Sequence, residues 1–266
     1  MSCDFAQHLN EAQLRAVTAP DGAVLVIAAA GTGKTRTLTH RVAWLALERG
    51  VEPRRMLLLT FTNRAAREML ERAMQLIGQD VGGLWGGTFH HATNRMLRRH
   101  ATLLGYGADY SILDEDDSTR LLKACINELG LRDKKFPKAE VLGSVFSLAA
   151  NRGADVAETV ADRFGAHPVD LTAILKVHTL YEQRKRALNA MDFDDLLVNG
   201  LKLLQEHESV ADRHQEQMQH VLVDEYQDTN KLQNDFVDLL ASGHGNLLAV
   251  GDDFQSIYSW RGAEVQ

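Results

Sequence analysis

Residues 24–38 read VLVIAAAGTGKTRTL, an apolar run that passes directly into Gly-Thr-Gly-Lys-Thr. Positions 28–35 follow the spacing G-x-x-x-x-G-K-[ST], except that Ala28 stands where the first glycine is usual. Glycines at 31 and 33 can turn backbone N–H groups inward, making a nest for phosphate oxygens at the start of a helix. Ala30, Gly31, Thr32 and Gly33 would then wrap the phosphates, Lys34 would reach the β/γ oxygens, and the Thr35 hydroxyl would ligate Mg²⁺. Ala28 and Ala29 fit this scheme where the backbone keeps negative φ.

Such a loop needs a partner carboxylate at the end of a neighbouring strand. The segment HVLVDEYQDTN at 220–230 supplies one. Asp224 follows three apolar residues and is placed to hold Mg²⁺, directly or through water; Glu225 is placed to polarise the water that attacks a γ-phosphate. Gln227 and Asp228 extend the polar cluster beyond what a capped surface turn explains. A third segment, VGDDFQSIYSWRGA at 250–263, offers Gln255 as a γ-phosphate sensor. Tyr258 and Trp260 in that segment have two readings: a base-stacking platform flanked by Arg261, or two aromatics packed in a core.

Two further segments share one style. TFTNRAAREMLERA at 60–73 and GTFHHATNRMLRRH at 87–100 each put hydroxyls and an aromatic ahead of a basic helix. That combination suits a single strand of nucleic acid, with phosphates at the helix and bases on the rings. The candidate contacts are Phe61, Thr62, Asn63, Thr88 and His90. The arginine clusters 64/67/72 and 95/98/99 read equally as solvated helix faces. His90 and His91 have no carboxylate pair at metal-ligand spacing, so no metal site is expected there.

These side chains need strands to carry them. Four continuous apolar runs, VLVIA (24–28), MLLLTF (56–61), HVLVDE (220–225) and NLLAVGD (246–252), predict parallel strands buried on both faces. A helical stripe over 35–49 joins the first two, giving a strand–loop–helix–strand unit and an α/β fold class. All the candidate residues then fall at carboxyl ends of strands, where open parallel sheets bind ligands. From about 100 to 190 helical patterns dominate, as in 114–130 and 168–188, so the sequence predicts an all-helical insertion. The expected division is 1–100, 101–190 and 191–266.

Composition bounds the rest. With 266 residues, 45% hydrophobic and 24% charged, the chain can bury a sizeable core. A net charge of −7 argues mildly against nucleic acid, although local patches decide. Cys3 and Cys125 show no metal or redox spacing, which favours a reducing, cytoplasmic setting. No signal peptide or run of 18 apolar residues is present, so no membrane partner is expected. The end at RGAEVQ, just after a motif, reads as a fragment of a longer protein.

LNEAQLRAV (9–17), AAAGTGKTRTL, LLLTFTNRAAREM, GTFH, DFDDLL (192–197), VLVDEYQDTN and VGDDFQSIYSWRGA occur in one order. Together they resemble the N-terminal half of a UvrD/Rep/PcrA-type superfamily 1 DNA helicase, over almost the whole chain. The resemblance implies a RecA-like P-loop NTPase sheet flanked by helices, motor domain 1A, with the helical block as inserted subdomain 1B. It implies ATP and Mg²⁺ as cofactors, single-stranded or partial duplex DNA as partner, 3′→5′ unwinding, and roles in DNA repair or replication. Gln13 would read the adenine edge and Arg36 would lie beside the nucleotide. Lys34, Asp224, Glu225 and Gln255 would be catalytic, with Thr35 and Asp224 on the metal. Phe61, Asn63, His90, Tyr258 and Trp260 would contact the strand. Ala29, Phe254 and Ser259 depart from the family pattern without removing a catalytic group. A second motor domain would supply arginines to the transferring phosphate, so this chain alone is expected to hydrolyse ATP poorly and not to unwind. Other readings are the motor part of a helicase–nuclease and an ATP- or single-strand-binding module without catalysis. A generic P-loop kinase or transporter ATPase explains neither TFTN nor GTFH.

Overall fold

The computed structural model describes residues 5–78, 83–131, 133, 135–165 and 169–252. The chain forms two compact units, one comprising Met1–Ala92, Leu204–Thr229 and Gln233–Gln266, the other Thr93–Leu203 and Asn230–Leu232. The first begins with α1 (Phe5–His8), α2 (Glu11–Val17), β1 (Ala23–Ile27), α3 (Lys34–Leu47), β2 (Met56–Thr60), α4 (Asn63–Ile77), β3 (Trp85–Thr88) and the start of α5 (Phe89–His100). The second unit holds β4 (Ser111–Ile112), α6 (Glu115–Glu128), α7 (Ala139–Arg152), α8 (Val156–Phe164), α9 (Leu171–Ala187), β5 (Ala190–Met191) and most of α10 (Phe193–Glu206). The chain then adds α11 (Glu208–Gln217), β6 (His220–Val223), α12 (Lys231–Ala241) and β7 (Leu247–Gly251).

The five-stranded sheet of the first unit has the order β1-β7-β6-β2-β3, and every neighbouring pair is parallel. The apolar runs dictate this. Met56, Leu58, Leu222, Leu248 and Val250 pack with Leu38, Val42 and Leu45 of α3 and Met69 and Ala73 of α4 in one core. Leu57, Leu59, Val221, Val223 and Ala249 are buried as well, so β2, β6 and β7 are covered on both faces. Each such Leu or Val contributes about 1.5–3 kcal/mol. The four expected strands form, within one or two residues of the boundaries read from the sequence.

Two expectations are corrected. β1 is an edge strand with one open face: Leu25 and Ile27 are 60% and 64% exposed, although VLVI reads as doubly buried. A fifth strand, β3, also joins the sheet. Its sequence WGGT carries no apolar run because α4 crowds it: a Cβ at Gly86 would stand 2.6 Å from Leu70 Cδ2.

The helical unit packs α6, α7, α8 and α9 around Leu122, Cys125, Leu142, Val145, Val160, Ile174, Val177 and Tyr181. Asp114, Asp155 and Asp170 cap α6, α8 and α9 through side-chain bonds to backbone N–H groups. The expected all-helical block is not wholly so. Ser111 and Ile112 pair in parallel with Ala190 and Met191, a two-residue ladder too short for periodicity to reveal. Among the described residues no helix is long and apolar enough to cross a membrane.

Candidate functional site

β1 delivers the chain to the glycine loop. The Ala28 N–H still bonds Gly251 O at 2.9 Å, continuing the β1–β7 ladder before the loop turns. Gly31 and Gly33 then take φ of 74° and 90°, the left-handed region that side chains avoid. Among the described residues only Asn189 and Glu225 do so without being glycine. Ala28, Ala29 and Ala30 therefore need no glycine. Gly33 sits at the N-terminus of α3, where no side chain among the described residues caps the first N–H groups, an arrangement that suits an anion. Gln13, held by a reciprocal capping bond with Asn10, donates from Nε2 to Thr32 O at 2.8 Å and so lies against this loop. Arg36 is exposed on the first turn of α3.

β6 lies two strands from β1 and ends at Val223. Asp224 N–H bonds Leu59 O at 2.9 Å, which fixes the carboxylate at the strand end. Glu225 follows with φ 52° and ψ 44°, a conformation that costs a non-glycine residue about 1–3 kcal/mol. The strain swings its side chain to the loop: Glu225 Oε2 receives Lys34 Nζ at 2.7 Å. Lys34 itself is buried.

Asp224 is 3% exposed, and its Oδ1 is buried without a hydrogen-bond partner among the described residues. Burial, then the Glu225 charge, raises its pKa to about 6, against the pull of the Glu225 N–H, Lys34 and the Thr35 hydroxyl. A buried, unsatisfied carboxylate oxygen beside a hydroxyl suits a hard divalent cation, so Asp224 and Thr35 fit the Mg²⁺ expected from the sequence.

A second group gathers on β2 and β3. Their register pairs Thr60 with Thr88, so the residues after each strand leave side by side. Phe61 and Phe89 meet edge-to-face at 6.0 Å, with Phe61 half-buried and Phe89 buried. Thr62 caps α4 through the Ala65 N–H, and Thr88 accepts from the His91 N–H. Asn63 is exposed at the start of α4, and His90 is half-buried in the first turn of α5. Gln255, Tyr258 and Trp260 lie outside the described residues.

Two clusters carry more than the sequence reading gave them. Gln227 is buried between the end of β7 and Glu225. In the helical unit, Lys185 binds Asp192, Asp195 and Glu182 at 2.7–2.8 Å, and Asp192 and Asp195 cap one another's backbone at the start of α10. The motif DFDDLL was visible in the sequence, but its cation, several residues upstream on another helix, was not.

A parallel sheet carrying a glycine loop, a lysine and an Asp-Glu pair at its carboxyl ends defines a P-loop α/β domain. The sequence profile of the UvrD/REP helicase N-terminal domain matches residues 9–266. The chain belongs to that family. It is 38% identical over 261 residues to the ATP-dependent DNA helicase PcrA of Staphylococcus aureus, covering 97% of this chain and 35% of that protein. It is 38% identical over 258 residues to DNA helicase II of Escherichia coli K12, again covering 97% and 35%. The PcrA of Bacillus subtilis is 39% identical over 257 residues, 97% of this chain and 34% of the relative. The chain thus spans about a third of the length of the curated relatives it matches.

Proposed function

We propose that this chain is the ATP- and single-strand-binding motor part of a cytoplasmic, ATP-dependent DNA helicase that moves 3′→5′. The sheet unit corresponds to motor domain 1A and the helical unit to subdomain 1B. The observation that carries this reading is the 2.7 Å contact between Lys34 and Glu225, beside the unsatisfied Oδ1 of Asp224. A triphosphate in the loop draws the Lys34 ammonium to its β/γ oxygens and frees Glu225. Glu225 then holds the attacking water and accepts its proton. Asp224 and Thr35 would hold Mg²⁺, which would supply charge neutralisation at the phosphates. Gln13 reads the adenine edge, Arg36 flanks the nucleotide, and Gln255 senses the γ-phosphate. Phe61, Thr62, Asn63, Thr88 and His90, with Tyr258 and Trp260, contact the unpaired strand.

A second motor domain completes the site with arginines that are worth several powers of ten in rate. The chain alone therefore binds ATP–Mg²⁺ but turns it over slowly. Titration with a fluorescent ATP analogue, alongside phosphate release with and without oligo-dT, tests this. Binding that Lys34→Ala weakens at least tenfold, with turnover well below one per second, is expected. Fast DNA-stimulated turnover, or binding indifferent to Lys34→Ala, overturns it.

A further inference from the structure

We infer that Gln227 is a positioning residue that holds Glu225 and ties it to the segment leaving β7. Gln227 lies in the 3₁₀ turn Tyr226–Asp228 and is 8% exposed. Its amide joins two places. Oε1 accepts the N–H of Asp252, one residue beyond β7, at 2.9 Å. Nε2 donates to Glu225 Oε2 at 2.9 Å and to Asp228 Oδ2 at 3.2 Å. A backbone donor at one end and carboxylates at the other fix which way the amide points, since the reverse orientation would set donor against donor.

The backbone is built around this amide. A Cβ at Gly251 would stand 3.0 Å from Gln227 Oε1 and 3.3 Å from its backbone N, so a bare residue at the end of β7 admits the side chain. Among the described residues, Glu225 Oε2 takes two hydrogen bonds, from Lys34 and from Gln227. When phosphate takes the lysine, Gln227 keeps the carboxylate aimed. The inference rests on the reading of Glu225 as the group that holds the water.

The substitutions Gln227→Leu, Gln227→Glu, Gly251→Ala and Glu225→Gln, made in the full chain, separate the possibilities. Nucleotide affinity is read with the fluorescent ATP analogue, and hydrolysis is read in single turnover with protein in excess, with and without oligo-dT. Gln227→Leu removes both arms and is expected to bind nucleotide within about twofold of wild type and to hydrolyse at least tenfold more slowly. Gln227→Glu keeps an acceptor for Asp252 but no donor for Glu225, so it too slows hydrolysis at unchanged nucleotide affinity. Gly251→Ala presses on Oε1 and reproduces the Gln227→Leu pattern in weaker form, which holds the test open should Gln227→Leu fold poorly. A residue with only a structural role would lower affinity and rate together, and that result overturns the inference. Glu225→Gln hydrolysing at the wild-type rate overturns the reading of Glu225 itself. Glu225→Gln inactive with Gln227→Leu fully active overturns the role of Gln227 alone.

Discussion

At Asp224 the sequence puts a carboxylate where burial and a neighbouring charge both oppose ionisation, and its pKa rises to about 6 from the ordinary 3.8. The native state therefore keeps a proton that the unfolded chain has released. Stability falls as pH rises through this window, by about 3 kcal/mol once both pKa values are passed. Asp224→Asn is expected to raise the melting temperature at pH 7.5 without Mg²⁺. The gain should shrink as pH falls toward 4, where the native aspartate is already neutral. Differential scanning fluorimetry at both pH values checks it; a gain that does not depend on pH overturns the assignment. Lys34, Thr35, Asp224 and Glu225 were legible in the sequence as candidates because the two pairs directly follow a glycine loop and an apolar run, although the left-handed turn at Glu225 was not. Gln227 was visible as a polar residue out of place, but its role depends on Asp252, 25 residues away, and no local pattern encodes that.

The elements obey the same division between local and distant causes. β2, β6 and β7 were legible because a doubly buried parallel strand is apolar throughout. β3 was not, since α4 demands glycine at 86, and the helix that makes the demand erases the strand signal. β1 looked like its neighbours, yet nothing in VLVI says that it stands at the edge. The start of α10 is a further case. Burial works against the Lys185 ammonium, but Asp192, Asp195 and Glu182 outweigh it and hold its pKa above the usual lysine range. Burial, then Asp192, pushes Asp195 up, while Lys185 holds Asp192 down against its own burial. Removing the one cation leaves buried carboxylates uncompensated, a loss of about 3–5 kcal/mol. Lys185→Met, of similar length and without charge, is expected to lower the unfolding free energy measured by urea titration by that amount. Adding Asp195→Asn should recover part of it, and a Lys185→Met chain as stable as wild type would refute the account.

On the proposed strand-binding role, a net charge of −7 leaves local features to hold the strand. A protein that binds DNA through many phosphates needs a cationic face, and here exposed arginines are partly spent: Arg64 and Arg72 share Glu68 at 2.9 and 3.8 Å. The proposed contacts then lean on rings and hydroxyls at the carboxyl ends of β2 and β3, where Phe61 stands half-buried against Phe89. Two consequences separate this from a phosphate-driven grip. The log–log dependence of oligo-dT affinity on salt should be shallow, no steeper than about −2, because each phosphate neutralised on a single strand adds only about −0.7. Phe61→Ala should weaken oligo-dT binding about five- to hundred-fold, the worth of one stacked base, while leaving affinity for the ATP analogue unchanged. Fluorescence anisotropy across a salt series measures both. A steep slope with an indifferent Phe61→Ala would move the strand from the edge formed by β2 and β3 to a basic surface elsewhere on the chain.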